Sequence, residues 1–239
     1  MNLLLIEEHE IDASGATARV TGRRLEHLRS VQGWNKGDVL HIGRVGGALG
    51  HGTIASLGDD SAQICVEWTS EPPPPLPCEL VVALPRPPIL RRTLYNATLM
   101  GVKKIHLVVA SRVHRSYWQS RSLRPAAIRD QLMRGLEQAQ DTRLPEVELH
   151  PYFKTFAAGR LLDLVAKNHA LVAHPQAADS CPGILPGPLT LFVGPEGGFN
   201  EFEIEHFEKA GAHCVHLGPR VLRVDTAVTA LLARIQSAQ

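Results

Sequence analysis

Five consecutive residues near the carboxyl end, Gly194-Pro195-Glu196-Gly197-Gly198, set one carboxylate among three glycines and a proline. The apolar run Leu191-Phe192-Val193 precedes them, and the acidic stretch from Asn200 follows with helical spacing. Glycines let a bound molecule approach the backbone closely, and Glu196 could accept hydrogen bonds or sit beside a cation. The other reading is a bare turn with a solvated glutamate. A phosphate loop is excluded, because no Gly-Lys-Ser/Thr follows, and the spacing is not that of a G-x-G-x-x-G dinucleotide turn. A second stretch repeats the plan: strand-like Val215–Leu217, then Gly218-Pro219, then an irregular loop carrying Arg220 and Arg223, then Asp225 placed to cap a final helix. Two strand-end loops so close in sequence could line one pocket. Neither arginine is required by a simple turn, although each could merely pair with a nearby acid.

Metal chemistry has no comparable signal. Cys65, Cys78, Cys181 and Cys214 form no C-x-x-C pair, which argues against both a zinc site and a disulfide framework. His213 and His216 flank Cys214 in a strand-like run and point to opposite faces, a poor arrangement for a metal. No metal is expected.

The loops need elements to hold them. Strand-like runs at 79–84, 104–110, 146–150, 170–174, 189–193 and 213–217 alternate with helical patterns. These patterns run from Pro87-Pro88 to Gly101, from about Pro125 to Gln140, from Phe153 to Lys167, over Glu201–Ala210 and from about Asp225 to Ala238. Asn200 with Glu203 three residues on reads as a capping box, and Gly211 as the stop. Such alternation predicts an α/β domain with a mostly parallel sheet, helices on both faces and ligands at the carboxyl ends of the strands. The proline run in Ser70–Cys78 fits neither helix nor central strand and marks a stiff boundary. Upstream of it, short alternating strands with Gly-rich turns and one helix candidate, "GRRLEHLRSV", predict a small β-barrel-like module. The expected domains are residues 1–70, a linker at 71–77 and a second domain at 78–239.

The 44% apolar composition is that of an ordinary globular protein, and no run approaches the length of a membrane span. With no signal-peptide pattern at the start, a cytoplasmic protein is the default. The net charge of +1 hides a strong asymmetry: residues 76–150 carry +6 while the segments on either side are negative. Between Arg86 and Arg134, Asp130 is the one acid among eleven Lys and Arg residues. Arg86, Arg91, Arg92, Arg112, Arg115 and Arg121 are candidate phosphate contacts for RNA. A solvated basic helix face is the alternative. Tyr117 and Trp118 lie among these arginines, a mixture suited to unstacked RNA bases or to a buried interface.

Taken together, "LFVGPEGGFNEFEIE" and "LGPRVLRVDTAVTALLA" resemble the C-terminal signature of the SPOUT-class RNA methyltransferases, with the 16S rRNA uridine-N3 (RsmE-type) family most similar. "HLRSVQGWNKGDVLHI", "GVKKIHLVVASRV" and "LEQAQDTRLPEV" resemble the earlier segments of that family in order and spacing. The resemblance implies an N-terminal PUA-like RNA-binding β-barrel and a C-terminal SPOUT domain with a deep trefoil knot, a rare exception to the rule against threaded chains. It also implies a homodimer, an S-adenosylmethionine cofactor, and methyl transfer to N3 of a uridine in small-subunit ribosomal RNA. By motif, the cofactor would contact Leu191, Phe192, Val193, Gly194, Glu196, Gly197 and Gly198, and Leu217, Gly218, Arg220, Val221 and Leu222. Arg220 and Arg223 would favour the uridine anion, with Asp225 orienting one of them.

The chain departs from that pattern mainly on the substrate side. Val31-Gln32-Gly33, Tyr95-Asn96, Leu99-Met100 and Gln140-Asp141 replace the family's usual residues, and the positions of Gly33 and Asp141 lose a basic side chain. Two other readings therefore stand beside the first: a methyltransferase-like RNA-binding or ribosome-assembly factor with little catalysis, and methylation of a different RNA nucleotide.

Overall fold

The computed structural model describes residues 2–30 and 33–235, so Val31, Gln32 and the end expected for the last helix lie outside the described residues. The chain divides into two compact units. One comprises Met1–Pro74 with Met133–Leu144, and the other Pro75–Leu132 with Pro145–Gln239.

The first unit is built on a five-stranded mixed sheet, curled into a half-barrel. Its strands are β1 (Leu4–Ile6), β2 (Thr17–Val20), β3 (Val39–Arg44), β4 (Leu49–Leu57) and β5 (Ala62–Ser70), in the order β1-β3-β4-β5-β2. β1 pairs parallel with β3, and the other pairings are antiparallel. Register shifts in the β4–β5 ladder, between Leu49 and Gly50 and between Ile54 and Ser56, supply the local bends that a curled sheet needs. At the first shift Gly50 is obligatory, because a Cβ there would lie 2.0 Å from the Glu67 carbonyl oxygen. Alternate residues of the strands (Leu4, Ile6, Val20, Ile42, Ile54, Ile64) meet Leu25 and Leu28 of α1 (Gly22–Ser30) in one apolar core. β1 also sends Leu3 and Leu5 to the other face, against Met133 and Leu136. Sequence periodicity missed β1 and β2, since each is too short to show alternation.

The second unit is an α/β layer structure around a seven-stranded sheet. Its strands are β6 (Cys78–Ala83), β7 (Lys104–Val108), β8 (Glu146–His150), β9 (His169–Ala173), β10 (Asp179–Ser180), β11 (Leu189–Val193) and β12 (His213–His216). The order is β10-β12-β9-β11-β6-β7-β8, and every pairing is parallel, so the sheet is wholly rather than mostly parallel. The helices are α2 (Pro87–Leu99), α3 (Arg115–Trp118), α4 (Pro125–Ala139), α5 (Phe153–Ala158), α6 (Arg160–Lys167), α7 (Glu201–Ala210) and α8 (Val224–Ile235). α4 begins in this unit and ends in the first. The single helix expected over 153–167 is two helices, broken where Gly159 takes φ −132° and ψ −82°.

All five residues of the central strand β11 are buried, as a parallel strand covered on both faces requires. On one face Phe192 packs against Phe207 of α7, which also meets Phe153 and Phe199. Such aromatic contacts are worth about 0.5–1.5 kcal/mol each beyond the area they bury. α8 packs on β11 and against α2, where Asn96 Nδ2 donates to Thr229 Oγ1 at 3.1 Å.

Candidate functional site

The glycine loop leaves the carboxyl end of β11 and is fixed by its neighbours on one side of the sheet. Glu196 Oε1 accepts the backbone N–H of Arg86 at 3.0 Å, which ties the loop to the turn leading from β6 into α2. The Arg86 guanidinium lies 3.9 Å from the same oxygen. From the loop after β7, Arg112 Nη1 donates to the carbonyls of Gly197 at 2.7 Å and Phe199 at 3.3 Å. The next residue back, Ser111, donates its N–H to Glu203 Oε1 at 2.7 Å. Glu203 is only 1% exposed, and its other oxygen accepts the Asn200 N–H at 2.9 Å in the expected capping box of α7. A buried carboxylate taking an N–H on each oxygen is well compensated for its lost hydration. Three consecutive strands in the sheet, β11, β6 and β7, thus share one hydrogen-bonded set of loops.

Between this loop and the one after β12 lies a cavity, at the carboxyl ends of β9, β11 and β12. Val193, Gly194, Glu196 and Gly198 line it from the first loop, and Leu217, Gly218, Arg220, Val221 and Leu222 from the second. Ala173 and His174 close the β9 end, while Val224, Ala227 and Leu231 of α8 contribute apolar wall. Of the residues expected here, Leu191 and Phe192 sit inside β11 and do not line the cavity, and Gly197 instead faces the side chain of Arg112. Gly194 is held tight: a Cβ would stand 3.0 Å from the Phe199 nitrogen. Gly218 has φ +107°, a conformation that a β-branched residue would strongly resist. Its N–H donates to His216 Nδ1 at 2.9 Å. Val221 is 81% exposed, an apolar side chain at the cavity rim.

The three residues expected to act on the reacting base are not gathered in one place. Arg220 lines the cavity, whereas Arg223 and Asp225 do not. α8 starts at Val224, so Asp225 lies inside its first turn rather than capping it from outside, and there its charge favours the helix dipole. Asp225 is 4% exposed; Oδ2 stands 3.4 Å from Arg92 Nη1 and Oδ1 3.6 Å from Arg223 Nε. Oδ1 makes no hydrogen bond of normal length. Asp225 therefore holds an arginine from α2 and one from the second loop side by side. Arg86, Arg91, Arg92, Arg112, Arg115 and Arg121 are all exposed, but Arg112 and Arg92 are engaged with the loop and with Asp225.

Thiol chemistry is weak here. Burial pushes Cys78 up to about 12, and burial with the neighbouring Glu208 pushes Cys214 up to about 11. Neither presents a thiolate at neutral pH.

Residues 72–236 match the family model of the RNA methyltransferase domain. The chain belongs to the RNA methyltransferase domain family. It is 30% identical over 239 residues to the ribosomal RNA small subunit methyltransferase E of Treponema pallidum, covering 98% of this chain and 90% of that one. Against the protein of the same name from Mycobacterium bovis it is 30% identical over 233 residues, covering 93% and 87%. The fold matches the crystal structure of a ribosomal RNA small subunit methyltransferase E from Neisseria gonorrhoeae bound to S-adenosyl methionine, with a TM-score of 0.75 at 21% identity over 97% of this chain and 95% of that chain. Within this family frame three of the departures have a structural account. Asn96 bonds Thr229 across α2 and α8, and Asp141 is 3% exposed and accepts the Arg143 N–H at 2.9 Å. Gly33 takes φ +61°. Sequence reasoning missed the clamp by Arg112 and the β9 end at His174, because each comes from a strand distant in sequence with no local motif, and the α8 wall, because the face of that helix turned to the cavity is set by its packing.

If Glu196 anchors the β6–α2 turn, Glu196→Ala speeds hydrogen exchange of the Arg86 amide by roughly tenfold, the value of one lost hydrogen bond. Glu196→Gln retains most of the protection. Unchanged exchange in both variants, read by NMR, contradicts the anchor.

Proposed function

We propose that the protein is an S-adenosylmethionine-dependent methyltransferase acting on small-subunit ribosomal RNA, and that the methyl group goes to N3 of a uridine. The observation that carries this reading is the cavity walled jointly by the two C-terminal loops in a chain of the RNA methyltransferase family. Its chemistry suits the cofactor. Val193, Leu217, Leu222 and Leu231 offer apolar wall to an adenine. Gly194 and Gly218 carry no side chain that could block the backbone edge, and a Cβ on Gly218 would project into open space. Glu196 supplies a carboxylate for the cationic end while keeping its bond to Arg86.

The bound cofactor supplies a methyl group on a sulfonium, already activated for displacement. The protein's task is then to hold uridine N3 in line with that carbon, and positioning of this kind can lower a barrier by about 7–11 kcal/mol. Methylation at N3 would also require the N3 proton to leave, with solvent as its acceptor. Arg220 in the cavity wall favours the uridine anion electrostatically, and Asp225 restrains Arg223 nearby in the chain for the same purpose. Residues 1–70 act as a PUA-like RNA-binding module, residues 78–239 as the catalytic domain, and the C-terminal loops belong to a deep trefoil knot. The enzyme works as a homodimer in the cytoplasm. No helix among the described residues is long and apolar enough to cross a membrane.

In a titration calorimeter the wild type binds S-adenosylmethionine, and Gly218→Val loses binding by about fivefold or more, since forcing φ +107° on a branched residue costs on the order of 1–3 kcal/mol. With small-subunit RNA, labelled methyl appears as N3-methyluridine on nucleoside mass mapping. Binding without transfer to any RNA supports the RNA-binding-factor reading instead, and a different modified nucleoside moves the target. Arg91 and Arg121 are exposed and remain candidate phosphate contacts. Arg91→Ala with Arg121→Ala makes the slope of log affinity against log salt shallower by about 2. An unchanged slope removes these side chains from the RNA contact.

A further inference from the structure

At the opposite end of the parallel sheet from the cavity, three side chains converge that no sequence motif connects. His106 comes from β7, and Glu148 and His150 from the edge strand β8. His106 Nδ1 lies 3.2 Å from His150 Nε2 and 3.3 Å from Glu148 Oε2, and His150 Nε2 lies 3.6 Å from the same oxygen. The three atoms form a near-equilateral triangle. Zinc bonds of about 2.0–2.1 Å in tetrahedral geometry place ligand atoms about 3.3–3.4 Å apart, which is the spacing found. We propose that His106, Glu148 and His150 bind one divalent transition-metal ion, zinc in chemical class, leaving the fourth position to solvent.

The surroundings suit ligation. His106 is 1% exposed, and its Nε2 stands 3.3 Å from Glu79 Oε2 on β6. A ring proton on Nε2 directed at that carboxylate leaves Nδ1 as a lone pair. Nδ1 then faces the Glu148 oxygen and His150 Nε2, an arrangement that either a shared proton or a metal ion at their centre satisfies. The pairing with Glu79 is the carboxylate–histidine–metal arrangement that fixes tautomer and ring orientation. Arg160, at the start of α6, contacts the other oxygen of Glu148 at 3.3 Å and Glu79 at 3.7 Å. Its grip leaves Glu148 Oε2 turned to the histidines as a single-oxygen ligand. Lys104 Nζ also lies 3.7 Å from Glu79 Oε1, so the two carboxylates and the two cations balance, and Glu148 Oε2 is the carboxylate oxygen left facing the histidines. Phe156 of α5 packs edge-on against the His150 ring, with centroids 5.0 Å apart, and restricts its motion. The ion would fasten β8 to β7 and, through Arg160, brace α6. This assignment does not rest on methyl transfer, and it replaces the expectation that the chain holds no metal. The ligands were invisible in sequence because they lie on two strands separated by more than one helix.

The test uses tag-free, full-length protein stripped with a chelator. Titrated with ZnCl2, the wild type binds one Zn2+ per chain, and with CoCl2 it develops the visible ligand-field bands of tetrahedral cobalt. His150→Ala and Glu148→Gln each weaken Zn2+ binding by at least about tenfold, and Glu79→Gln weakens it by about 10–100-fold through the orienting bond to His106. Circular dichroism establishes that each variant is folded before titration. Failure of the wild type to take up stoichiometric Zn2+ overturns the proposal whatever the variants do. A cobalt spectrum unchanged in folded His150→Ala overturns it equally, and the cluster is then a proton-sharing histidine pair.

Discussion

The site depends on a small set of hydrogen bonds that hold a glycine-rich loop in one shape. Glycines give the segment after β11 its close backbone approach but also leave it with more conformational freedom to lose on folding than other residues would have. That entropy has to be offset by contacts from outside the loop. Glu196 reaches the amide of Arg86, Arg112 reaches the carbonyls of Gly197 and Phe199, and Glu203 anchors both Ser111 and the first turn of α7. Arg86, Ser111 and Arg112 come from the loops after β6 and β7, the strands that follow β11 in the sheet. The strand order therefore decides which residues can serve as the clamp. Without it, the cavity would have one mobile wall.

The same geometry explains a division of labour among the arginines. A basic stripe in sequence suggests one surface with one purpose. In the fold Arg112 is spent on the loop and Arg92 faces a nearly buried Asp225, while Arg91, Arg115 and Arg121 stand exposed. Arg112 remains partly screened by solvent, so its bonds contribute less than the ~1.5–3 kcal/mol of a buried charged pair. Their value lies in fixing the positions of two carbonyls rather than in global stability.

Much of the second unit was legible in the sequence for physical reasons. Buried parallel strands are near-continuous apolar runs, and β6, β7, β9 and β11 read as such. Helix ends carried capping signals, with Asn200, Glu203 and Gly211 where the structure has them. What escaped was whatever local pattern cannot encode. β1 and β2 are too short for alternation to show, Gly159 breaks a helix that periodicity alone would continue, and Asp225 sits one turn-position further into α8 than its cap-like type suggests. The cavity residues that motifs supplied share one loop each; His174, Leu231 and Arg112 reach the loops or the cavity only through the sheet order and the packing of α8 on β11. The His106–Glu148–His150 cluster is the extreme case, since strand pairing alone brings His106 opposite Glu148.

The proposed methyl transfer requires the loops after β11 and β12 to form the wall of one cofactor site. A crystal structure of the protein grown with S-adenosylmethionine tests it most directly. Density for the cofactor is expected between Gly194–Gly198 and Leu217–Leu222, with the Glu196–Arg86 and Arg112–Gly197 bonds intact. Cofactor bound elsewhere, for example in the cleft beside Trp118 and Tyr152, with this cavity closed by its own side chains, would contradict it.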